Sequence, residues 1–239
     1  MKRIFIFGDS ILRGVYFSSE TGRHKLFADR FSLLREDAEV VNCSIMGATI
    51  TTGERLVKQR LEPACVPATE LQEGTDKAES ADKQPDGGDV VIFEYGGNDA
   101  DYRWKDISEN PSGAFLPNTP QDRYAARYGE CVDYAKRTGA RVFLCSLVPL
   151  DETRYMDWIS RGLSRSNILK WLGDPSRLFR RQEDYSRTAE RVAARCGCPV
   201  IDLRTPFLSR IPELLSDDGI HPTPDGHRLI DRLITEAVG

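Results

Sequence analysis

Residues Lys2 to Gly14 read KRIFIFGDSILRG, and the fold turns on how that stretch divides. Ile4 to Gly8 is a short apolar run, the composition of a strand buried on both faces. Asp9 and Ser10 follow at once, and Gly14 closes the stretch. A chain that leaves a buried strand straight into a Gly-Asp-Ser corner has either capped a helix or built a site. Ser and Asp are both favoured helix N-caps. A serine in a tight strand-to-helix corner also has its hydroxyl exposed, beside free backbone N–H groups that can stabilise an anion.

Four more apolar runs follow: Val40 to Cys43, Val90 to Tyr95, Val142 to Leu147 and Val200 to Leu203. Between them lie residues at helical spacing. Phe27, Phe31 and Leu34 form one set. Tyr128, Val132 and Ala135, before Gly139, form a second, and Tyr185, Ala189 and Val192, before Gly197, a third. Ile230, Leu233 and Ile234 mark a last helix. Helical spacing followed by glycine is the expected stop. Strands alternating with helices predict an α/β fold with a parallel sheet covered on both faces. Two regions break the alternation. Pro67 to Gly88 is polar and charged and reads as a surface insertion. Residues 100–120, resumed at 150–181, hold all three tryptophans, Trp104, Trp158 and Trp171. No repeat or linker divides the chain, so residues 1–239 read as one domain with insertions near 66–88 and 100–120.

The 239 residues are 40% hydrophobic and 29% charged, the balance of a globular chain. A net charge of −4 argues against a nucleic-acid partner. No apolar run approaches the roughly 20 residues of a membrane span, and the one after Lys2-Arg3 is too short for a signal peptide. A cytoplasmic location is expected. The oligomeric state is open. Six cysteines include a Cys196-x-Cys198 pair with no second pair at zinc spacing. Free thiols are expected, with no metal and no cofactor.

In an open parallel sheet, chemistry gathers at the carboxyl ends of the strands. Ser10 stands just past the first. After the second comes NCSIMGATITTG, where Gly47 is either a turn glycine or a backbone donor to a ligand. After the third comes YGGNDAD, where Asn98 either forms an Asx-turn or offers its side-chain amide. Near the C-terminus, SDDGIHPTPDGH places Asp218 three residues before His221. A serine needs a base to become a nucleophile. His24 reads as surface, and His227 as a structural residue opening the final helix. Asp9 and Asp99 read as braces that accept backbone N–H bonds. Asp217 rivals Asp218, with the three-residue spacing favouring Asp218. Together a nucleophile, two oxyanion donors and an Asp–His pair supply each role that acyl transfer requires. GDSILRG lacks the lysine of a phosphate-binding loop and the later glycines of a dinucleotide fingerprint.

These blocks resemble the SGNH hydrolases, the GDSL-type esterases and lipases. GDSILRG matches their first block, with Ile11 where leucine is usual. Gly47 matches the second, Gly96-Gly97-Asn98-Asp99 the third, and Asp218-Gly219-Ile220-His221 the last. The resemblance implies a three-layer α/β/α sandwich, flavodoxin-like, with five parallel strands in the order 2-1-3-4-5. It implies Ser10, Asp218 and His221 as catalytic residues, and Ser10, Gly47 and Asn98 as the oxyanion hole. The expected substrate is a small-acyl ester, with a carbohydrate O-deacetylase as the finer reading. Tyr102, Trp104 and Trp158 are then expected to line the pocket mouth, with core packing of those rings as the alternative. Arg177, Arg180 and Arg181 either meet an anion or form a solvated helix face. The alternatives are a lysophospholipase or longer-chain esterase, and a non-catalytic flavodoxin-like binding module.

Overall fold

The computed structural model describes residues 2–61 and 88–239. The insertion expected near 66–88 lies outside these residues, apart from Gly88. Seven strands are present among them: β1 Arg3–Gly8, β2 Val15–Ser18, β3 Arg23–Leu26, β4 Glu39–Asn42, β5 Val90–Glu94, β6 Arg141–Cys145 and β7 Val200–Ile201. Five of them form one sheet in the order β4-β1-β5-β6-β7, with every pair parallel. With the β2–β3 hairpin set aside, this is the expected 2-1-3-4-5 order.

Two-sided burial explains why the strands read as unbroken apolar runs. Phe5, Phe7, Val91, Phe93, Val142 and Leu144 pack on one face with residues of helices Ile50–Arg60, Gln121–Arg137 and Ser176–Arg195. Ile4, Ile6, Val90, Ile92, Phe143 and Cys145 face the other way, against helix Pro224–Val238. The period of two along each strand sends alternate residues to opposite layers, and both layers are apolar. A third cluster joins the two irregular regions: Tyr102, Trp104 and Ile107 meet Leu150, Tyr155, Met156, Ile168 and Leu172. The five described cysteines, Cys43, Cys131, Cys145, Cys196 and Cys198, are free. No helix among the described residues is long and apolar enough to cross a membrane.

The helix expected across Phe27, Phe31 and Leu34 does not form. Gly14, in the left-handed region at φ 93°, ends the helix Ser10–Arg13 after one turn, and the chain returns as the antiparallel hairpin β2–β3. Only Leu34–Asp37 is helical, and Phe31 itself sits at φ 59°. Phe31 and Leu34 are buried, so their apolar spacing serves loop anchors rather than a helix face. What holds the loop is a carboxylate 200 residues away. Asp231 accepts Arg30 Nε at 2.7 Å and the Phe31 N–H at 2.9 Å. Arg30 Nη1 also donates to Ile11 O at 2.7 Å and to His227 Nδ1 at 3.2 Å, while His227 Nε2 donates to Val15 O at 2.9 Å. Burial, then the Arg30 charge, pushes the His227 ring down to about 3, so it stays neutral.

This knot ties the serine corner to the final helix. Asp231→Ala would leave a guanidinium that is only 4% exposed without its counter-charge. We expect it to destabilise the fold by about 3–5 kcal/mol, read as a lowered urea midpoint with an unchanged slope. A midpoint within experimental error of the wild type would contradict the role given to this ion pair.

Candidate active site

Asp9, and not Ser10, caps the short helix Ser10–Arg13: its side chain accepts the Ile11 N–H at 2.8 Å. The Ser10 hydroxyl is thereby left for other work. Its partner is His221 Nε2 at 3.0 Å, across 211 residues of chain. His221 Nδ1 lies 2.6 Å from Asp218 Oδ2. A carboxylate only accepts, so Nδ1 carries the proton and Nε2 is the acceptor facing Ser10. Asp218 Oδ1 accepts the backbone N–H groups of His221 and Ile220, at 3.0 and 3.2 Å. All three residues are buried: Ser10 is 7% exposed, His221 5% and Asp218 0%. Burial alone would raise Asp218. The hydrogen bond and charge of His221, with the two backbone bonds, more than offset it and hold the carboxyl below its usual range. Gly219 permits the tight loop, at φ 77°, where an added Cβ would lie 2.6 Å from the Tyr155 backbone nitrogen.

Asp217 is exposed and takes a hydrogen bond from Ser19, so the geometry favours Asp218 as the partner of His221. His24 departs from its sequence reading. It lies on β3, in the hairpin, with Nε2 3.1 Å from Asp218 Oδ2 and its ring 4.8 Å from the His221 ring. One carboxylate oxygen therefore faces two imidazoles. No local pattern marks this, because a hairpin brings residue 24 to residue 218. His24, Asp218 and His221 also have ligand atoms within 4.8 Å of one another, so they could hold a metal ion. The bonds to Asp218 Oδ2 compete with that use.

The loops that carry the expected oxyanion donors are tied to the same corner. Ile45 N donates to Gly8 O at 3.1 Å, and Asn42 Nδ2 to Leu12 O at 3.0 Å, which fixes the loop carrying Gly47 beside the serine. Gly47 is exposed, at φ 76°, a conformation that favours glycine. Asn98 Nδ2 donates to Asp9 Oδ2 at 2.9 Å and to Ala48 O at 3.1 Å. Both amide hydrogens are thus engaged, and the expected oxyanion role requires the Ala48 bond to be exchanged for one to substrate. Asp99 braces the start of helix Ile50–Arg60, both its oxygens lying 3.1 Å from the Ile50 nitrogen.

Behind the serine lies a cluster of buried carboxyls, in which Asp9 and Asp99 join Glu94, a residue the sequence reading missed. Glu94, at the end of β5, is 1% exposed, and its carboxyl shares a side-chain hydrogen bond with that of Asp9. Burial, then the neighbouring Asp9 charge, pushes Glu94 well above its usual range. Burial likewise pushes Asp9 up to about 6 and Asp99 up to about 7. These groups hold protons more tightly folded than unfolded. Their contribution to stability is full below the unfolded values near 4, and falls as pH rises through 6 to 7. Glu94→Gln should make that fall shallower than in the wild type, measured as urea midpoints from pH 4 to 7.5. His227 and Asp218 work in the opposite direction and cancel in the comparison. Identical slopes would count against a buried proton at Glu94.

A cleft of about 740 Å³, counting the open space at its mouth, runs outward from this corner. Asp9, Ser10, Glu94 and Asn98 line one part, and Leu147, Val148, Leu150, Leu178 and Ile220 line its apolar wall. Tyr102 and Trp104 line it as expected, while Trp158 is not among its lining residues. Trp158 packs instead on Phe17 and His24, with ring centroids at 4.8 and 5.4 Å, beneath Arg161. It buttresses the hairpin that carries His24. Asp101 also lines the cleft, and Trp104 Nε1 donates to it at 2.7 Å.

The sequence matches the GDSL-like lipase/acylhydrolase family over residues 6–229. No curated protein matches it. Solved structures share the fold at low identity. A lipase/acylhydrolase from Enterococcus faecalis is 20% identical, with a TM-score of 0.56, covering 100% of this chain and 95% of that one. An acetyl xylan esterase, AlAXEase, is also 20% identical, with a TM-score of 0.56 and coverage of 99% and 100%. The psychrotrophic esterase EstA from Pseudoalteromonas sp., inhibited by monoethylphosphonate, is 14% identical, with a TM-score of 0.54 and coverage of 100% and 97%.

Proposed function

The chain belongs to the GDSL-like lipase/acylhydrolase family, and from that premise we propose that it is a serine esterase cleaving small-acyl carboxylic esters. The observation that carries this reading is His221 Nε2 at 3.0 Å from Ser10 Oγ, with Nδ1 held by Asp218 at 2.6 Å. Ser10 attacks the ester carbonyl while His221 takes its proton. Asp218 fixes the ring tautomer and stabilises the imidazolium. The N–H groups of Ser10 and Gly47, with the Asn98 amide, receive the oxyanion. The alcohol leaves with the proton from His221, giving an acyl-Ser10 intermediate. His221 then activates water, which releases the carboxylic acid and restores Ser10. The Ser10–His221 contact across one continuous sheet also supports reading the chain as a single catalytic domain.

The finer reading, a carbohydrate O-deacetylase, draws support from Tyr102 and Trp104 on the cleft wall and from the acetyl xylan esterase among the structural neighbours. The aliphatic wall favours a second reading, a longer-chain acyl esterase. Hydrolysis of p-nitrophenyl acetate, butyrate, octanoate and palmitate separates the two. Turnover falling with chain length supports the small-acyl reading, and turnover rising with it supports the longer chain. A folded protein that neither turns over these esters nor reacts at Ser10 with an organophosphonate would be a binding module.

A further inference from the structure

Helix Ser176–Arg195 carries two arginines one turn apart, Arg177 and Arg181, and both line the cleft that contains Ser10. Two other cations of that helix have carboxylate partners, while Arg191 and Arg195 bond to Thr188 Oγ1 and Ala125 O and do not line the cleft. Arg187 is paired with Glu183 and Glu190 at 2.8 and 3.2 Å, and Arg180 faces Asp174 at 4.0 Å. Among the described residues, no carboxylate lies within ion-pair distance of either Arg177 or Arg181. The Arg177 guanidinium is held instead by a backbone carbonyl, Leu172 O, at 3.1 Å. The Arg181 guanidinium lies over the Tyr102 ring, 4.9 Å from its centroid, which orients a flat cation along the cleft wall.

The nearby acids lie outside ion-pair distance: Asp174 faces Arg180 at 4.0 Å and gives Arg177 only a longer-range attraction. Asp101 shares the cleft, but it is bound by Trp104 and braces that wall. Asp184 lies with Arg177, Arg180 and Arg181 around a neighbouring pocket, beyond ion-pair distance of Arg177 and Arg181. The remaining cleft acids, Asp9 and Glu94, line it with Ser10 and are buried. The cleft is therefore polarised, with buried acids beside the serine, an apolar and aromatic wall, and two arginines without an ion-pair partner.

We propose that the ester hydrolysed at Ser10 carries an anionic group, carboxylate or phosphate, that Arg177 and Arg181 bind while the ester carbonyl sits at Ser10. This rests on the esterase reading above and adds the substrate's charge to it. Guanidinium groups recognise such oxyanions through paired, charge-assisted hydrogen bonds. The anion can be carried on the acyl group or on the alcohol, and two matched substrate pairs distinguish these.

For the acyl side, p-nitrophenyl hemiglutarate is compared with its neutral isostere, p-nitrophenyl 4-carbamoylbutyrate. For the alcohol side, p-acetoxybenzoate is compared with p-acetoxybenzamide. The readout is the ratio of kcat/KM, anionic over neutral, with the Ser10→Ala rate subtracted as background. In at least one pair the wild type should favour the anionic ester by about tenfold or more, as a charge-assisted hydrogen bond predicts. Arg181→Ala should remove most of that preference, and Arg181→Glu should invert it. The side chain is exposed, so both variants should fold. Arg180→Ala, outside the cleft, should leave the ratio unchanged. The preference should also shrink at high salt. Turnover of the neutral esters with ratios near one in both pairs, or a preference that survives Arg181→Glu, would overturn the proposal and leave the esterase reading standing. A folded wild type that hydrolyses none of the four esters and does not react at Ser10 with an organophosphonate removes the esterase reading, and the proposal falls with it.

Discussion

Ser10→Ala is expected to lower kcat for ester hydrolysis by about 10⁶-fold while leaving the fold intact. The serine carries the nucleophile and nothing else of weight. Asp9 caps the helix, Arg30 holds its backbone through Ile11 O, and Asn42 holds it through Leu12 O. The hydroxyl has one described partner, His221 Nε2. Its removal leaves that nitrogen without a bond but creates no buried charge, so the urea midpoint should move little. His221→Ala should cost about as much in kcat, because a base without a nucleophile is idle and the reverse holds equally. The double variant should therefore be no slower than either single one. Multiplicative losses would mean that the two residues act independently, and the geometry at 3.0 Å would then have another meaning. Retention of more than a tenth of the turnover in Ser10→Ala would remove Ser10 as nucleophile.

The sheet was legible because burial on two faces leaves a simple trace. Ile4 and Ile6 go to one layer and Phe5 and Phe7 to the other, so no polar residue interrupts the strand. The site was legible for a related reason. Its residues follow strand ends, where glycine, aspartate, serine and asparagine stand out against apolar runs. What the sequence hid was decided by contacts between distant segments. Phe27, Phe31 and Leu34 have helical spacing, but Asp231 claims the Phe31 N–H that a helix would have used. His24 looks like a solvated residue until the hairpin places it on Asp218. Trp158 shares its region with Trp104, yet it packs on Phe17 and His24, and only Trp104 lines the cleft. Asn98 sits where expected, but the engagement of its amide by Asp9 and Ala48 depends on two other loops.

Asp218→Asn tests the electrostatic half of the site, with an expected loss in kcat of about 10⁴-fold. The size of the effect follows from which way the new amide must face. Asp218 Oδ1 accepts two backbone N–H groups, from Ile220 and His221. Only the carbonyl oxygen of an asparagine can take that place. The NH₂ group must then stand where Oδ2 stood, pointing at His221 Nδ1 and His24 Nε2, which lie 2.6 and 3.1 Å from that oxygen. An NH₂ donates, so His221 Nδ1 becomes the acceptor and its proton moves to Nε2. That nitrogen can no longer take the Ser10 proton, and the developing imidazolium also loses its counter-charge. Asp217→Asn changes only an exposed bond with Ser19, and it should retain near-wild-type turnover. Rescue of Asp218→Asn by raising the pH would fit a site that lacks only a competent base. Full activity in Asp218→Asn together with loss in Asp217→Asn would reverse the assignment, and would mean that the 2.6 Å contact serves the fold and not the reaction.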